Sequence, residues 1–502
     1  MRRAIRFLRG GSVVELADFA PDATLLDHLR QVDRRTGSKE GCGRGECGSC
    51  TVALGTCQDG AMAYRPVNAC MTLLGSLDGK ELVTVEDVSA RAGRPHPVQE
   101  ALVGHHASQC GFCTPGMVMA LFTLFHSDLT ADRRRAAAWL TGNLCRCTGY
   151  RPIIDAAVAA CAAPPPRRDA FANAARRTGR QLAAIADDED ILIGDERRFF
   201  AAPASLDSLV ALAGHHHDAI LLAGGTDLLA RPPRDHGALA KIIHLGRVRD
   251  LGRVAETEEA MSFGAAAVLD AMEPAMIAID PDLGELWRRF GSRQVRAVAT
   301  LGGNIAGADP AADLPPVLMA LGATIELRHD GRLRRLPIED FYLGPGRQDR
   351  SRGELITEVT VPKLAGDQLF RCCKVAKRYD NDRAILVGAF RFTLDRGLIA
   401  ASRIAYSGLA GMPKRALMTE RSLRGLSLAE RGPWTAAIDM LAEDFAPAGD
   451  ERASAAYRLD TAKALLLKAL TEIRGAASTS TRIAQSREVV LEHLAKGRRP
   501  QG

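Results

Sequence analysis

The sequence predicts an α+β protein of several domains: a β-rich one, a helical one, and then two in which strands and helices mix. Three observations carry that prediction. The 502 residues exceed what a single hydrophobic core accommodates. Strand-like segments predominate up to about residue 85, and apolar residues recur with helical period from Pro97 to about residue 163. From Phe199 onward, strand-like and helix-like segments alternate. The boundaries expected are 1–85, 86–163, a linker over 164–192, then 193–365 and 366–475, with a polar tail over 476–502.

Composition excludes several classes of function. Lysine and arginine number 66 against 60 acidic residues, an excess of six, and they are scattered without interleaved aromatics, so nucleic acid is not an expected partner. No run of about 18 apolar residues suggests a membrane span. The N-terminus moves straight into strand-like alternation rather than a signal segment, so a cytoplasmic protein is expected. Twelve cysteines in a reducing compartment read as metal ligands or redox groups rather than a disulfide framework.

Residues 3–8 and 12–16 alternate around Gly10-Gly11, which predicts a hairpin, and 24–32 carries apolar residues at helical spacing. The loop Cys42-Gly-Arg-Gly-Glu-Cys47-Gly-Ser-Cys50 follows. With Cys70 it gives C-x4-C-x2-C…C, the spacing of a plant-type [2Fe–2S] site. Glycines at 41, 43, 45 and 48 suit a loop that takes positive φ and brings backbone N–H groups close to sulfur. A structural zinc site is the rival, although zinc sites usually pair two short C-x2-C hooks without such a wrap. With strands over 50–54 and 82–86, this is a β-grasp, ferredoxin-like domain with the cluster at the edge of its sheet.

Helices are expected over 98–102, 117–125, 136–140 and 153–161. Cys110-Gly-Phe-Cys113 stands just before Thr114-Pro115-Gly116, and Cys145-Arg-Cys147 before Thr148-Gly-Tyr-Arg-Pro152, both helix-start signals. Two such loops can present four thiolates where helix dipoles favour negative charge. C-x2-C alone also suits zinc or a thioredoxin-like pair; together with C-x-C behind a ferredoxin loop it is far more specific. Glu40 to Thr51, Gln109-Cys-Gly-Phe-Cys-Thr-Pro-Gly-Met and Gly142-Asn-Leu-Cys-Arg-Cys-Thr-Gly-Tyr-Arg-Pro resemble the iron–sulfur signatures of the molybdenum hydroxylases. The resemblance implies a four-helix bundle holding a second [2Fe–2S] cluster through Cys110, Cys113, Cys145 and Cys147.

Ala162-Ala-Pro-Pro-Pro-Arg-Arg reads as a linker by composition, leading into an Ala/Arg-rich helix that ends near residue 190. A helix over 205–213 and a buried strand over 219–223 follow, joined through His215-His-His217, which reads as a solvated loop. Gly224-Gly-Thr-Asp227 then forms a turn whose backbone N–H groups suit a pyrophosphate. A second glycine turn is expected at Ala299-Thr-Leu-Gly-Gly-Asn-Ile305, with Asp309-Pro-Ala-Ala-Asp313 close behind. Neither carries G-x-G-x-x-G, which argues against a Rossmann domain.

Together these segments resemble the FAD domain of the same family, of vanillyl-alcohol-oxidase type. The resemblance assigns FAD contacts to Leu222, Ala223, Gly224, Gly225, Thr226, Asp227 and Leu228, and to Thr300, Leu301, Gly302, Gly303 and Asn304. Asp313, Ile356 and Lys374 are expected to contribute, with Phe290 on the isoalloxazine; from sequence alone Phe290 also reads as core. The likeness continues through 374–382 and 403–415 into an α+β C-terminal flavoprotein domain and covers residues 3 to about 475.

Both clusters and the flavin on one chain resemble the members of the family that hydroxylate xanthine; nicotinate- or aldehyde-type hydroxylases are the alternatives, with a non-catalytic redox sensor as a third. The resemblance implies a partner chain carrying molybdopterin, two copies of each chain, and NAD⁺ as acceptor, with no residue for substrate hydroxylation on this chain. By position, Cys147 and Gln109 fall nearest the pterin and the ferredoxin-type cluster nearest FAD. The acceptor face is assigned to 341–347 and 374–382, where Asp380 and Asp382 suit a cationic nicotinamide, while Pro345 and Arg383 depart from the family pattern. Cys57, Cys161, Cys372 and Cys373 have no assigned role.

Overall fold

The computed structural model describes residues 1–58, 60–90, 95–127, 129–162, 169–230 and 239–475, and the polar tail expected over 476–502 lies outside them. Two compact units emerge. One comprises Met1–Asp250 with Ser292–Ala299, the other Leu251–Gly291 with the described residues from Thr300 on.

The first unit opens with the expected hairpin, Ile5–Arg9 against Ser12–Leu16. Its five-stranded sheet runs Ser12–Leu16, Ile5–Arg9, Glu81–Val83, Thr51–Gln58, Ala61–Asn68, with Ile5–Arg9 parallel to Glu81–Val83. The short helix Leu25–Asp27 and the turn of π-helix His28–Val32 bury Leu25, Leu26 and Leu29 in one core with Ile5, Phe7, Val52 and Leu82. Strand Ala61–Asn68, which contains Pro66, is an element the sequence pattern did not mark. It lies at the sheet edge, where a missing N–H is tolerated.

Four helices follow where the pattern placed them: Pro97–Gly104, Thr114–Phe125, Arg133–Trp139 and Arg151–Cys161. Three carry proline in the first turn, where the lost N–H has no partner anyway. The expected Ala/Arg-rich helix is Ala170–Ile185, within the 164–192 stretch, while residues 163–168 lie outside the described residues. Asp169 caps it, accepting from the Phe171 N–H at 2.8 Å, and Phe171, Ala174, Thr178 and Leu182 form a buried stripe against the first sheet.

The expected boundary near residue 190 is not where the compact units part. A second sheet, ordered Ile191–Gly194, Phe199–Ala202, Lys241–His244, Ile220–Leu222, shares a core with the ferredoxin-like part through Ile193, Phe200, Ile242, Leu74 and Leu77. A buried ion network reinforces this: Arg2 holds Asp78 bidentately at 2.8 and 2.9 Å, and Arg247 reaches Asp187 at 2.8 Å as well as Asp78. The described residues of 193–250, the first third of the stretch expected as the next domain, thus pack in this unit.

Three buried histidines give the first unit a pH dependence. Burial pushes His96 and His126 down to about 4 and His244 to about 3. An unfolded histidine titrates near 6.5, so below that pH the unfolded chain binds protons that the folded chain refuses, and stability falls as pH drops toward 4. Each contributes on the order of 1 kcal/mol per pH unit in that window. Urea unfolding at pH 7 and pH 5 is expected to show the loss, and His244→Gln to make it smaller; equal midpoints at both pH values would contradict the linkage.

The second unit holds a five-stranded sheet ordered Val254–Glu256, Ala260–Gly264, Leu355–Pro362, Thr324–His329, Arg332–Pro337. It also holds a four-stranded sheet, Gln368–Val375, Leu386–Asp395, Leu398–Ser407, Lys414–Arg415, on which helix Ala455–Ile473 buries Ala462, Leu466 and Leu470. The second expected glycine turn is in fact the helix Leu301–Ala306, with Thr300 accepting from the Gly303 N–H at 3.2 Å. Gly302 serves close packing rather than a turn, since a Cβ there would lie 2.7 Å from both the Cβ and the carbonyl O of Ala265.

Candidate iron–sulfur and flavin sites

The first cysteine quartet converges within the first unit. Cys50 Sγ lies 3.3 Å from Cys70 Sγ, and the thiols of Cys47 and Cys70 both bond to Cys42, drawing it far down while their own values rise. The backbone N–H groups of Arg44 and Glu46 point at Cys42 Sγ from 3.5 and 3.3 Å. Positive φ occurs at Gly43, Gly45 and Gly48 but not at Gly41, whose Cβ would instead sit 2.9 Å from Cys47 Sγ. Converging sulfurs ringed by N–H donors fit an anionic iron–sulfur group.

The second quartet forms at two helix starts. Cys110 pairs with Cys147 and Cys113 with Cys145, thiol to thiol. Cys113 is the N-cap of Thr114–Phe125, and Cys145 Sγ lies 3.2 Å from Thr148 Oγ1. The Phe112 N–H lowers the Cys110 thiol, whereas burial raises Cys113 to about 12. Cys110 and Cys147 are exposed, and so are Val103, Phe112 and Leu144, while Cys145 is buried.

The two quartets are joined by the chain itself. The Leu144 N–H, one residue before Cys145, donates to the Cys47 carbonyl at 2.9 Å. Asn143 Nδ2 donates to the Gly48 carbonyl at 3.0 Å, and Gln294 Nε2 to Asn143 Oδ1 at 2.7 Å. Close approach depends on glycine: a Cβ on Gly116 would lie 2.1 Å from the Gly48 O. Sequence reasoning missed Asn143 and Gln294 as site residues, because neither spacing nor periodicity signals a polar contact between positions 151 residues apart.

The segments assigned to flavin are distributed over both units. In the first, Leu222 ends a strand and is buried; Ala223, Gly224, Thr226 and Leu228 are half-buried, and Asp227 is exposed. Gly225 takes φ +70°. Gly224 presses on the segment just before Thr300, so that a Cβ would lie 1.9 Å from the Val298 O. In the second unit Thr300, Leu301 and Gly302 are buried, Gly303 is exposed, and Asn304 Oδ1 is buried with no hydrogen-bond partner. In the first unit the close backbone approach at Gly224 suits a phosphate-binding turn, and in the second the orphaned Asn304 amide oxygen suits a donor on a bound ligand.

Also in the second unit, Lys374 Nζ meets Asp313 at 2.5 Å and donates to the Arg289 carbonyl at 3.1 Å, while Arg289 donates to the Lys374 carbonyl at 2.6 Å. Burial pushes the Asp313 carboxyl up and Lys374 pulls against it. This fixes the backbone beside Phe290, which is half-buried rather than core, whereas Ile356 is buried on its strand. Tyr342 and Gln348 donate to the carbonyls of Ile305 and Ala306, Pro345 abuts Gly411, and Arg383 is paired with Asp309 at 2.5 Å.

Four family models match in succession. They are a 2Fe-2S iron-sulfur cluster binding domain over 12–75, a [2Fe-2S] binding domain over 84–158, an FAD binding domain in molybdopterin dehydrogenase over 196–364, and a CO dehydrogenase flavoprotein C-terminal domain over 371–473. The chain belongs to the molybdenum hydroxylase family. Its cofactors are accordingly [2Fe–2S] clusters and FAD, and the family's FAD domain spans the division between the two units. Among curated relatives, xanthine dehydrogenase 1 of Arabidopsis thaliana is 28% identical over 479 residues, covering 82% of this chain and 35% of the relative. Xanthine dehydrogenase/oxidase of Mus musculus is 30% identical over 462 residues, covering 82% and 34%. This molybdenum hydroxylase chain thus spans about a third of the length of the curated relatives it matches. Of solved structures, a Cu,Mo-CO dehydrogenase matches with TM-score 0.52 and 26% identity, over 55% of this chain and 98% of that one. Quinoline 2-oxidoreductase from Pseudomonas putida 86 matches with TM-score 0.50 and 25% identity, over 55% and 97%.

Proposed function

We propose that this chain is the electron-transfer part of a xanthine dehydrogenase, working with a partner chain that carries molybdopterin, two copies of each, and NAD⁺ as acceptor. The carrying observation is the contact between the quartets, where one hydrogen bond joins Leu144, next to Cys145, to Cys47. When bound, each cluster carries one electron and FAD collects a pair, which a two-electron acceptor requires. Cys42, Cys47, Cys50 and Cys70 hold one cluster, and Cys110, Cys113, Cys145 and Cys147 the other. The exposed Cys110, Cys147, Phe112, Val103 and Leu144 suit a face that a partner covers, with Gln109 beside it.

FAD is held by residues 222–228 and 300–304, with Asp313, Lys374 and Ile356 contributing and Phe290 on the ring. For the acceptor, Asp309 offsets the charge of Arg383, and a buried oxygen of Asp380 has no hydrogen-bond partner, so the local field favours a cationic nicotinamide. The matched CO dehydrogenase and quinoline 2-oxidoreductase structures favour a second reading, the equivalent part of a hydroxylase for another substrate. Stopped-flow oxidation of the xanthine-reduced complex tests both. Rapid NADH formation supports the proposal; no reduction by xanthine favours the second reading, and reoxidation only by O₂ or a quinone would refute NAD⁺.

Replacing one exposed ligand separates the quartets. Cys147→Ser is expected to remove the second cluster, about half of the iron, while the plant-type signal persists in electron paramagnetic resonance. Loss of both signals, or of neither, would contradict the assignment of four ligands to each cluster.

A further inference from the structure

A buried chain of amides ends on the peptide next to a cluster ligand. Gly48 lies between Cys47 and Cys50, and its carbonyl accepts three hydrogen bonds: from the Thr51 N–H at 3.1 Å, Thr51 Oγ1 at 2.7 Å and Asn143 Nδ2 at 3.0 Å. Because Asn143 donates through its nitrogen, its Oδ1 must accept, and Gln294 Nε2 supplies that bond at 2.7 Å. Thr51, Asn143 and Gln294 are 1%, 2% and 1% exposed, so water does not substitute for any of them. Gly142 makes the room, since a Cβ there would lie 2.1 Å from Gln294 Oε1.

The Gly48 carbonyl and the Ser49 N–H are the two ends of one peptide group. That N–H and the Ser49 hydroxyl both hydrogen-bond to Cys47 Sγ. Donors on the carbonyl polarise the peptide and make its N–H a stronger donor. Hydrogen bonds to ligand sulfur in turn stabilise the reduced, more negative cluster and raise its potential. Gln294 stands between Phe290 and Thr300, in the segment that precedes the flavin helix.

We propose that Asn143 and Gln294 are positioning residues that raise the reduction potential of the ferredoxin-type cluster by polarising the Gly48–Ser49 peptide. The inference rests on the cluster reading above and adds a control: the chain segment that leads to the flavin helix also sets how readily the cluster takes an electron. Thr51 alone leaves the carbonyl with two donors, so the effect is graded rather than all-or-none.

The test is a redox titration of the full chain with both clusters and FAD bound, followed by electron paramagnetic resonance, in Asn143→Leu and Gln294→Met. Each is expected to lower the reduced-to-oxidised ratio of the first cluster at the wild-type midpoint, by about threefold for Asn143→Leu and less for Gln294→Met. The second cluster's midpoint, the iron content and the flavin content are expected to stay unchanged. If Asn143→Leu loses its cluster, Gln294→Met, one hydrogen bond further away, decides. An unchanged first midpoint, an equal shift of both clusters, or loss of the first cluster from both variants would overturn the proposal and leave a purely structural clamp. Absence of iron–sulfur signals from the wild-type chain would instead refute the cluster reading itself.

Discussion

Gly224→Ala is expected to reduce bound flavin to less than about a tenth of the wild-type content, because the added methyl meets backbone that cannot move aside. Its Cβ would lie 1.9 Å from the Val298 O, 2.6 Å from the Val298 C and 3.0 Å from the Ala299 Cα. Separating them displaces the 222–228 turn, assigned to the flavin, and the residues that lead into Thr300, where the second assigned segment begins. The neighbouring Gly225 makes a useful comparison: a Cβ there meets only the side chains of Leu229 and Leu222, at 3.2 and 3.3 Å, and the cost comes from its positive φ. Flavin absorbance per mole of iron checks the expectation, since iron reports the cysteine quartets independently. Full flavin in Gly224→Ala would place the pyrophosphate cradle elsewhere.

Lys374→Met is expected to destabilise the second unit by about 3–5 kcal/mol, the range for removing one partner of a buried ion pair. The side chains are 2% and 8% exposed, so an unpaired Asp313 would be left without solvent. The lysine also donates to the Arg289 carbonyl, beside Phe290, so flavin affinity should fall together with stability. Denaturant unfolding of Lys374→Met, Asp313→Asn and the double variant separates the pair from its parts. The double variant is expected to recover much of the loss, because no lone charge then remains buried; strict additivity would show that the two side chains do not interact.

The site was legible in the sequence where chemistry imposes a spacing. Eight cysteines could be grouped because each cluster takes four thiolates from short loops, and the second quartet was located by Pro115 and Pro152, which mark helix starts. Legibility failed where packing decides. Gly302 and Gly303 look like a turn, yet they open a helix, because Thr300 caps it and Ala265 leaves no room for a side chain. The helix expected after Arg168 was legible, but not that Phe171, Ala174, Thr178 and Leu182 make it a packed element with one buried stripe. Strand Ala61–Asn68 went unmarked, and its Pro66 is accommodated because the strand lies at the sheet edge. Gln294 was silent, since its partners Asn143 and Thr51 are 151 and 243 residues away in sequence.

The measurement that bears most directly on the central claim is cofactor analysis of the isolated full chain, with electron paramagnetic resonance after reduction by dithionite. Two cluster domains and one FAD domain predict four irons, four acid-labile sulfides and one FAD per chain, with two distinguishable [2Fe–2S] signals. Zinc in place of iron, with no visible absorbance beyond that of flavin, would contradict it.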